Sequence, residues 1–170
     1  MPRSLLARCL VAASAAVAPA CGAAPQPARP DPARAMSQPA PQPEQLSPVY
    51  HAQTSEYEMT EERVYQDAAA WAAAWEQLHN GMVVPPLPAV DFATSSVVLV
   101  AIGQRSSAGR DVRVTAVTRG AGGAVVHYTV TEPGPGCMTA QMVTSPVDVV
   151  RVPRIRGAAR FERATVRRPC

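Results

Sequence analysis

One run, Ser96-Val97-Val98-Leu99-Val100-Ala101-Ile102, does most to limit how this chain can fold. It offers water no polar position after its first residue and stops at Gly103. That pattern predicts a strand buried at the centre of a sheet, because a strand with one wet face would alternate. Two alternating segments follow. Asp111 to Val117 suits a half-buried strand, and Ala124 to Val130 suits its hairpin partner across the turn region Arg119–Gly123. Val147 to Val152 and Ala159 to Val166 read as the last strands, and Val49 to Thr54 as the first. Glu62 to Tyr65 reads as a short second strand.

A single segment has helical character. Ala68 to His79 is rich in alanine, the strongest helix former, and Asp67 is placed to cap it. Trp71, Trp75 and Leu78 fall at i, i+4 and i+7, on one face. They read as the side that packs on the sheet. Asn80-Gly81 ends the helix, and the prolines at 85, 86 and 88 keep the next stretch extended. The fold class is therefore α+β, mainly β: a mostly antiparallel sheet with one packed helix at about residues 67–79.

The first 20 residues read as a secretory signal peptide. Arg3 and Arg8 precede a short apolar run, and Ala18-Pro19-Ala20 offers small residues before a cut at Cys21. Cys21 at that position resembles the acylated cysteine of bacterial lipoproteins, although Ala18 stands where leucine is favoured. Ordinary secretion remains the alternative. The cysteine arithmetic favours acylation: Cys9 leaves with the signal, Cys137 and Cys170 can pair, and Cys21 would otherwise be an odd exposed thiol. A Cys137–Cys170 bridge would close a loop of about 34 residues and stabilise by roughly 3–4 kcal/mol; two free thiols are the other possibility. Between Gly22 and Ser47 stand seven prolines and almost no large apolar residue, a composition that cannot offset ordering entropy. It predicts a tether of up to roughly 80 Å. The domains expected are the signal at 1–20, a lipidated cysteine and Pro/Ala-rich linker at 21–47, and a globular domain at 48–170. The address expected is extracytoplasmic: a cell-envelope lipoprotein of the periplasm, outer membrane or cell surface, or else a secreted protein.

Charge is unevenly spread over the 170 residues, whose net charge is +3 and which contain no lysine. Eight acids lie between Glu44 and Asp91 against Arg63, and seven arginines lie beyond residue 150 against Glu162. The arginines read as solvated strand faces, or as a surface for lipid headgroups or an acidic partner. Nucleic acid is not an expected partner, since no aromatics are interleaved with them. His51, His79 and His127 stand at no metal-ligand spacing, so neither a metal nor another cofactor is expected. No serine sits in a nucleophile elbow. Adjacent Glu61 and Glu62 make a poor acid–base couple and read as a solvated turn.

The order of segments resembles a known family. The Trp71–Trp75 helix is followed by Pro88-Ala89-Val90-Asp91-Phe92 and by the strand ending Ile102-Gly103. A small-residue loop Ser106-Ser107-Ala108-Gly109 comes next, then Glu132 to Cys137 ahead of Thr144 to Val150. This is similar to the C-terminal domain of PrcB-type protease-complex subunits, over about residues 48–170. The resemblance implies a surface lipoprotein that accompanies an extracellular protease, and it supplies no catalytic residues. One departure stands out: relatives tend to carry Thr/Ser-Gly-Gly-Tyr where this chain has Ser107-Ala108-Gly109-Arg110.

Within the domain, the loop carrying Arg105, Ser106, Ser107, Gly109 and Arg110 is the candidate binding site, since loops on a rigid scaffold often hold function. The expected function is that of a non-catalytic accessory protein. It would be held to a membrane by a lipid anchor and bind or stabilise another exported protein, with a protease as the candidate. The alternative is a secreted protease inhibitor using Pro133–Cys137, or a small envelope enzyme. An envelope structural protein with its arginines on headgroups is a third reading.

Overall fold

The computed structural model describes residues 44–81, 83–120 and 122–170. The signal, Cys21 and nearly all of the linker lie outside the described residues. Among the described residues, seven strands and one helix follow in the order β1 (Ser47–Ala52), β2 (Thr60–Tyr65), α1 (Ala68–Leu78), β3 (Ser95–Ile102), β4 (Asp111–Gly120), β5 (Gly123–Pro133), β6 (Val147–Pro153) and β7 (Ala159–Arg168).

The strands form two sheets where the sequence suggested one. The first has the order β1-β6-β3-β2 and is antiparallel throughout; the second has the order β4-β5-β7. β4 and β5 are the expected hairpin, but β7 runs parallel to β5. The result is three layers, with helix, four-stranded sheet and three-stranded sheet stacked in that order. This explains the unbroken apolar run of β3. Val97, Leu99 and Ala101 face Trp71, Trp75 and Leu78 of α1, while Val98, Val100 and Ile102 face Val112, Val117, Val126 and Val130 of the second sheet. A middle layer has no wet face, so period-two alternation disappears from it. β5, with one face outward, keeps strict alternation: Ala124, Val126, Tyr128 and Val130 are buried and their neighbours are not.

α1 forms as expected. The Asp67 carboxylate accepts from the Ala70 N–H at 2.8 Å, and Gly81 beyond the helix has φ +78°. Trp71 and Trp75 pack at 5.4 Å between ring centroids, with Tyr50 edge-on to Trp75. Glu61 and Glu62 are not on a turn. They belong to β2, paired with Ala101 and Val100. Glu62 turns toward the second sheet, where its carboxylate accepts from the Tyr128 hydroxyl. Burial, assisted by that bond, pushes the Tyr128 phenol up to about 12.

Cys137 and Cys170 are joined by a disulfide, with Cα atoms 5.5 Å apart. It ties the end of β7 to the loop after β5. Gly134 N–H donates to the Arg168 carbonyl at 2.8 Å beside it. Among the described residues, Glu44 already contacts the domain. Its N–H donates to the Val117 carbonyl at 3.0 Å, and its carboxylate pairs with Arg119.

Candidate functional site

Strand register gives the domain two distinct ends. At one, Ser95 pairs with Pro153, Ser47 with Arg151, and Gly120 with Gly123; the chain preceding Glu44 joins here. At the other, Thr60 pairs with Ile102, Ala52 with Val147, and Asp111 with Thr131. Three loops converge at this second end: residues 53–59, 103–110 and 134–146.

Backbone hydrogen bonds clasp the three together. Arg105 and Thr144 exchange both bonds, at 2.7 and 3.0 Å, as an isolated antiparallel bridge. Ala108 N–H donates to the Ala140 carbonyl at 3.0 Å, and Gln104 N–H to the Glu58 carbonyl at 2.9 Å. Gly103 makes this last approach possible. It has φ +73°, and a Cβ there would sit 2.7 Å from the Glu58 carbonyl oxygen. Beneath the clasp is a buried hydroxyl plug. Ser145 Oγ donates to the Tyr57 carbonyl at 2.5 Å, and Ser55 Oγ donates to the Ser145 carbonyl at 2.9 Å. Both serines are thus used to satisfy backbone carbonyls that water cannot reach.

The proposed binding residues sit on this platform. Arg110 Nη1 donates to Ser107 Oγ at 3.0 Å, and Arg105 Nη1 to the neighbouring Gln104 carbonyl at 3.3 Å. Ser106 and Gly109 are exposed. β3 and β4 lie in different sheets, so the loop crosses from one to the other. What sequence reasoning missed is the apolar surface beside it. Met138 is fully exposed, Met59 is 79% exposed, and Met142 and Val143 are more than half exposed. Methionines on a surface make adaptable contacts with protein partners. Their signal in the sequence was the unalternating stretch Cys137-Met138-Thr139-Ala140-Gln141-Met142-Val143.

A polar cluster adjoins the platform. His51 Nε2 lies 3.1 Å from Asp111 Oδ1, which also accepts from Gln53 Nε2 at 2.9 Å. His51 Nδ1 lies 3.3 Å from Asp148 Oδ1 without forming a hydrogen bond. Asp148 is buried between the sheets; burial raises its pKa, against the pull of the Val114 N–H, His51 and Arg113. Its position inside Val147-Asp148-Val149-Val150, a charge in an apolar strand, was the legible signal. No hydroxyl or thiol hydrogen-bonds His51 among the described residues. His127 sits elsewhere on β5, with Nε2 3.1 Å from Thr118 Oγ1. Among the described residues no group of histidine, cysteine or carboxylate side chains could hold a metal ion, and no helix is long and apolar enough to cross a membrane.

Residues 96–153 match the family model described as PrcB C-terminal. The match runs from β3 through β6, a shorter span than the resemblance suggested, and includes two of the three clasped loops. No curated protein and no solved structure matches the chain.

Proposed function

Because residues 96–153 match the PrcB C-terminal family model, we propose that the chain is a non-catalytic accessory protein of the cell envelope. It presents the clasped loop platform to another exported protein, with a protease as the candidate partner. The observation that carries this reading is the opposition of the two ends. The chain before Glu44 joins beside Arg119, while the exposed methionines and the Arg105–Arg110 loop lie at the far ends of the strands. A head held by Cys21 through the Pro/Ala-rich segment would be tethered at the end opposite the platform. A clasped apolar patch with a charged rim is the composition of a docking surface.

The test is site-specific photocrosslinking in the producing cell. A crosslinker at Met142 is expected to capture one exported protein, and one at Glu76, on the outer face of α1, is expected to capture none. Equal capture from both positions, or none from Met142, overturns the reading. Intact mass of the mature protein reports separately on Cys21: acyl chains support the anchor, and a free thiol leaves a secreted form.

One observation favours a second reading. Met138 is fully exposed immediately beside the Cys137–Cys170 bridge, on a segment pinned at Ala140 and Thr144. A held, exposed loop is what a substrate-like protease inhibitor presents. Stoichiometric inhibition of a purified protease, lost in Met138→Asp, would move the assignment from accessory protein to inhibitor.

A further inference from the structure

The end opposite the platform carries the strongest uncompensated charge among the described residues. Arg119, Arg154 and Arg156 line an open cleft of about 620 Å³ with Pro153 and Ile155 at its base, and Arg151 and Arg160 border the adjoining grooves. The carboxylates at this end are Glu44, held by Arg119, Asp91, which caps the Ala93 and Thr94 turn, and Asp67, which caps α1. Arg119 Nη2 donates to Glu44 Oε2 at 2.9 Å and also to the Pro153 carbonyl; Arg154 donates to the Phe92 carbonyl. These two arginines are therefore fixed in place. Arg151, Arg156 and Arg160 are exposed and make no ion pair or side-chain hydrogen bond with the described residues.

We propose that this arginine-lined end is a binding surface for the phosphate headgroups of anionic phospholipids. The inference rests on the reading of the chain as a membrane-tethered head, and it adds which end of the head meets the membrane. Three observations favour a lipid surface over an acidic protein. The segment leading back to Cys21 meets the described part of the domain at Glu44, within this end, so a tethered head can bring these arginines to the bilayer. None of the exposed large apolar side chains lines the cleft, so it lacks the buried anchors that give protein docking its affinity. The guanidinium fork matches phosphate oxygens, and basic groups near an anionic leaflet attract it additively. Headgroup contact also explains why the arginines need no carboxylate partners within the fold.

The test uses the chain from Gly22 onward, which keeps every described residue and lacks the cysteine that would be acylated. Sedimentation with phosphatidylglycerol-containing vesicles is expected to show binding that weakens steeply with salt, and neutral phosphatidylcholine vesicles are expected to bind at least about tenfold less. Substituting Arg151→Gln, Arg156→Gln and Arg160→Gln together should lower the affinity for the anionic vesicles by more than about tenfold without moving the thermal midpoint. Equal binding to both vesicle types, or unchanged binding by the triple variant, overturns the proposal. So does binding to polyglutamate that exceeds binding to the anionic vesicles, since the end would then be a protein-docking surface. The mass of Cys21 in cells decides the tether independently of all these outcomes.

Discussion

The Asp148 carboxylate accepts a hydrogen bond from the Val114 N–H at 2.8 Å, at the point where β4 slips by one residue against β5. The extra residue is Thr115: Val114 pairs with Tyr128 and Ala116 with His127. A bulge leaves backbone groups without ladder partners, and here a carboxylate from the facing sheet serves one of them. The two sheets are thus joined by a polar bond, as they are where the Tyr128 hydroxyl donates to Glu62. Asp148→Ala would orphan the Val114 N–H and is expected to cost about 1–3 kcal/mol in denaturant unfolding.

Asp148 also gives stability a definite pH dependence. Burial raises its pKa in the folded chain above that of the unfolded chain. The folded form therefore binds more protons between those two values. The residue's contribution is fully present below the ordinary carboxylate range and is lost as pH rises through the raised pKa. The difference in unfolding free energy between the wild type and Asp148→Asn should fall across that interval. A flat or rising difference would mean that the partners of the carboxylate outweigh its burial.

Gly103 and Gly136 make a controlled pair. Both have positive φ, but a Cβ at Gly136 meets nothing within 4 Å, whereas one at Gly103 meets the backbone of Glu58 and Met59. Gly136→Ala should carry only the conformational cost, about 1 kcal/mol. Gly103→Ala should cost more than that and loosen the platform, visible as faster amide exchange at Gln104 and Arg105.

Trp71 is 1% exposed and stands at the centre of the helix–sheet cluster. Trp71→Ala is expected to destabilise by about 3–5 kcal/mol. An unchanged thermal midpoint would mean that α1 contributes little to the core.

The disulfide should matter most to β7. Among the described residues that strand pairs on one side only, in parallel with β5, and buries little beyond part of Ala159 and Phe161. Cys170→Ser with Cys137→Ser should lose roughly 3–4 kcal/mol for a loop of this span. Exchange protection in residues 159–168 should disappear before that of β4 or β5 changes.

Much of the architecture was legible in local pattern. The apolar run of β3, the alternation of β5, the Asp67 cap and the tryptophan spacing each depend on a single element and its immediate surroundings. The division into two sheets was not legible, because a strand's own sequence records how many of its faces are buried and says nothing about which strands flank it. β7 shows this most clearly. Phe161, Ala164 and Val166 mark it as a strand, yet nothing in them distinguishes a parallel partner from an antiparallel one, and the pairing is set by the crossover after β6. The platform was half legible. Its glycines and arginines drew attention to residues 105–110, but the opposing Thr144 and the exposed methionines come from a segment that only tertiary folding brings near.

The free side of β7 has a consequence for molecules packed densely on a surface. An unsatisfied strand border invites a neighbour to add itself, and two-dimensional confinement raises the frequency of such encounters. Here the strand carries Arg160, Glu162, Arg163, Arg167 and Arg168, all exposed. Two like copies meeting there would set cation against cation, so crowding should leave the molecules discrete instead of zipping them into fibres.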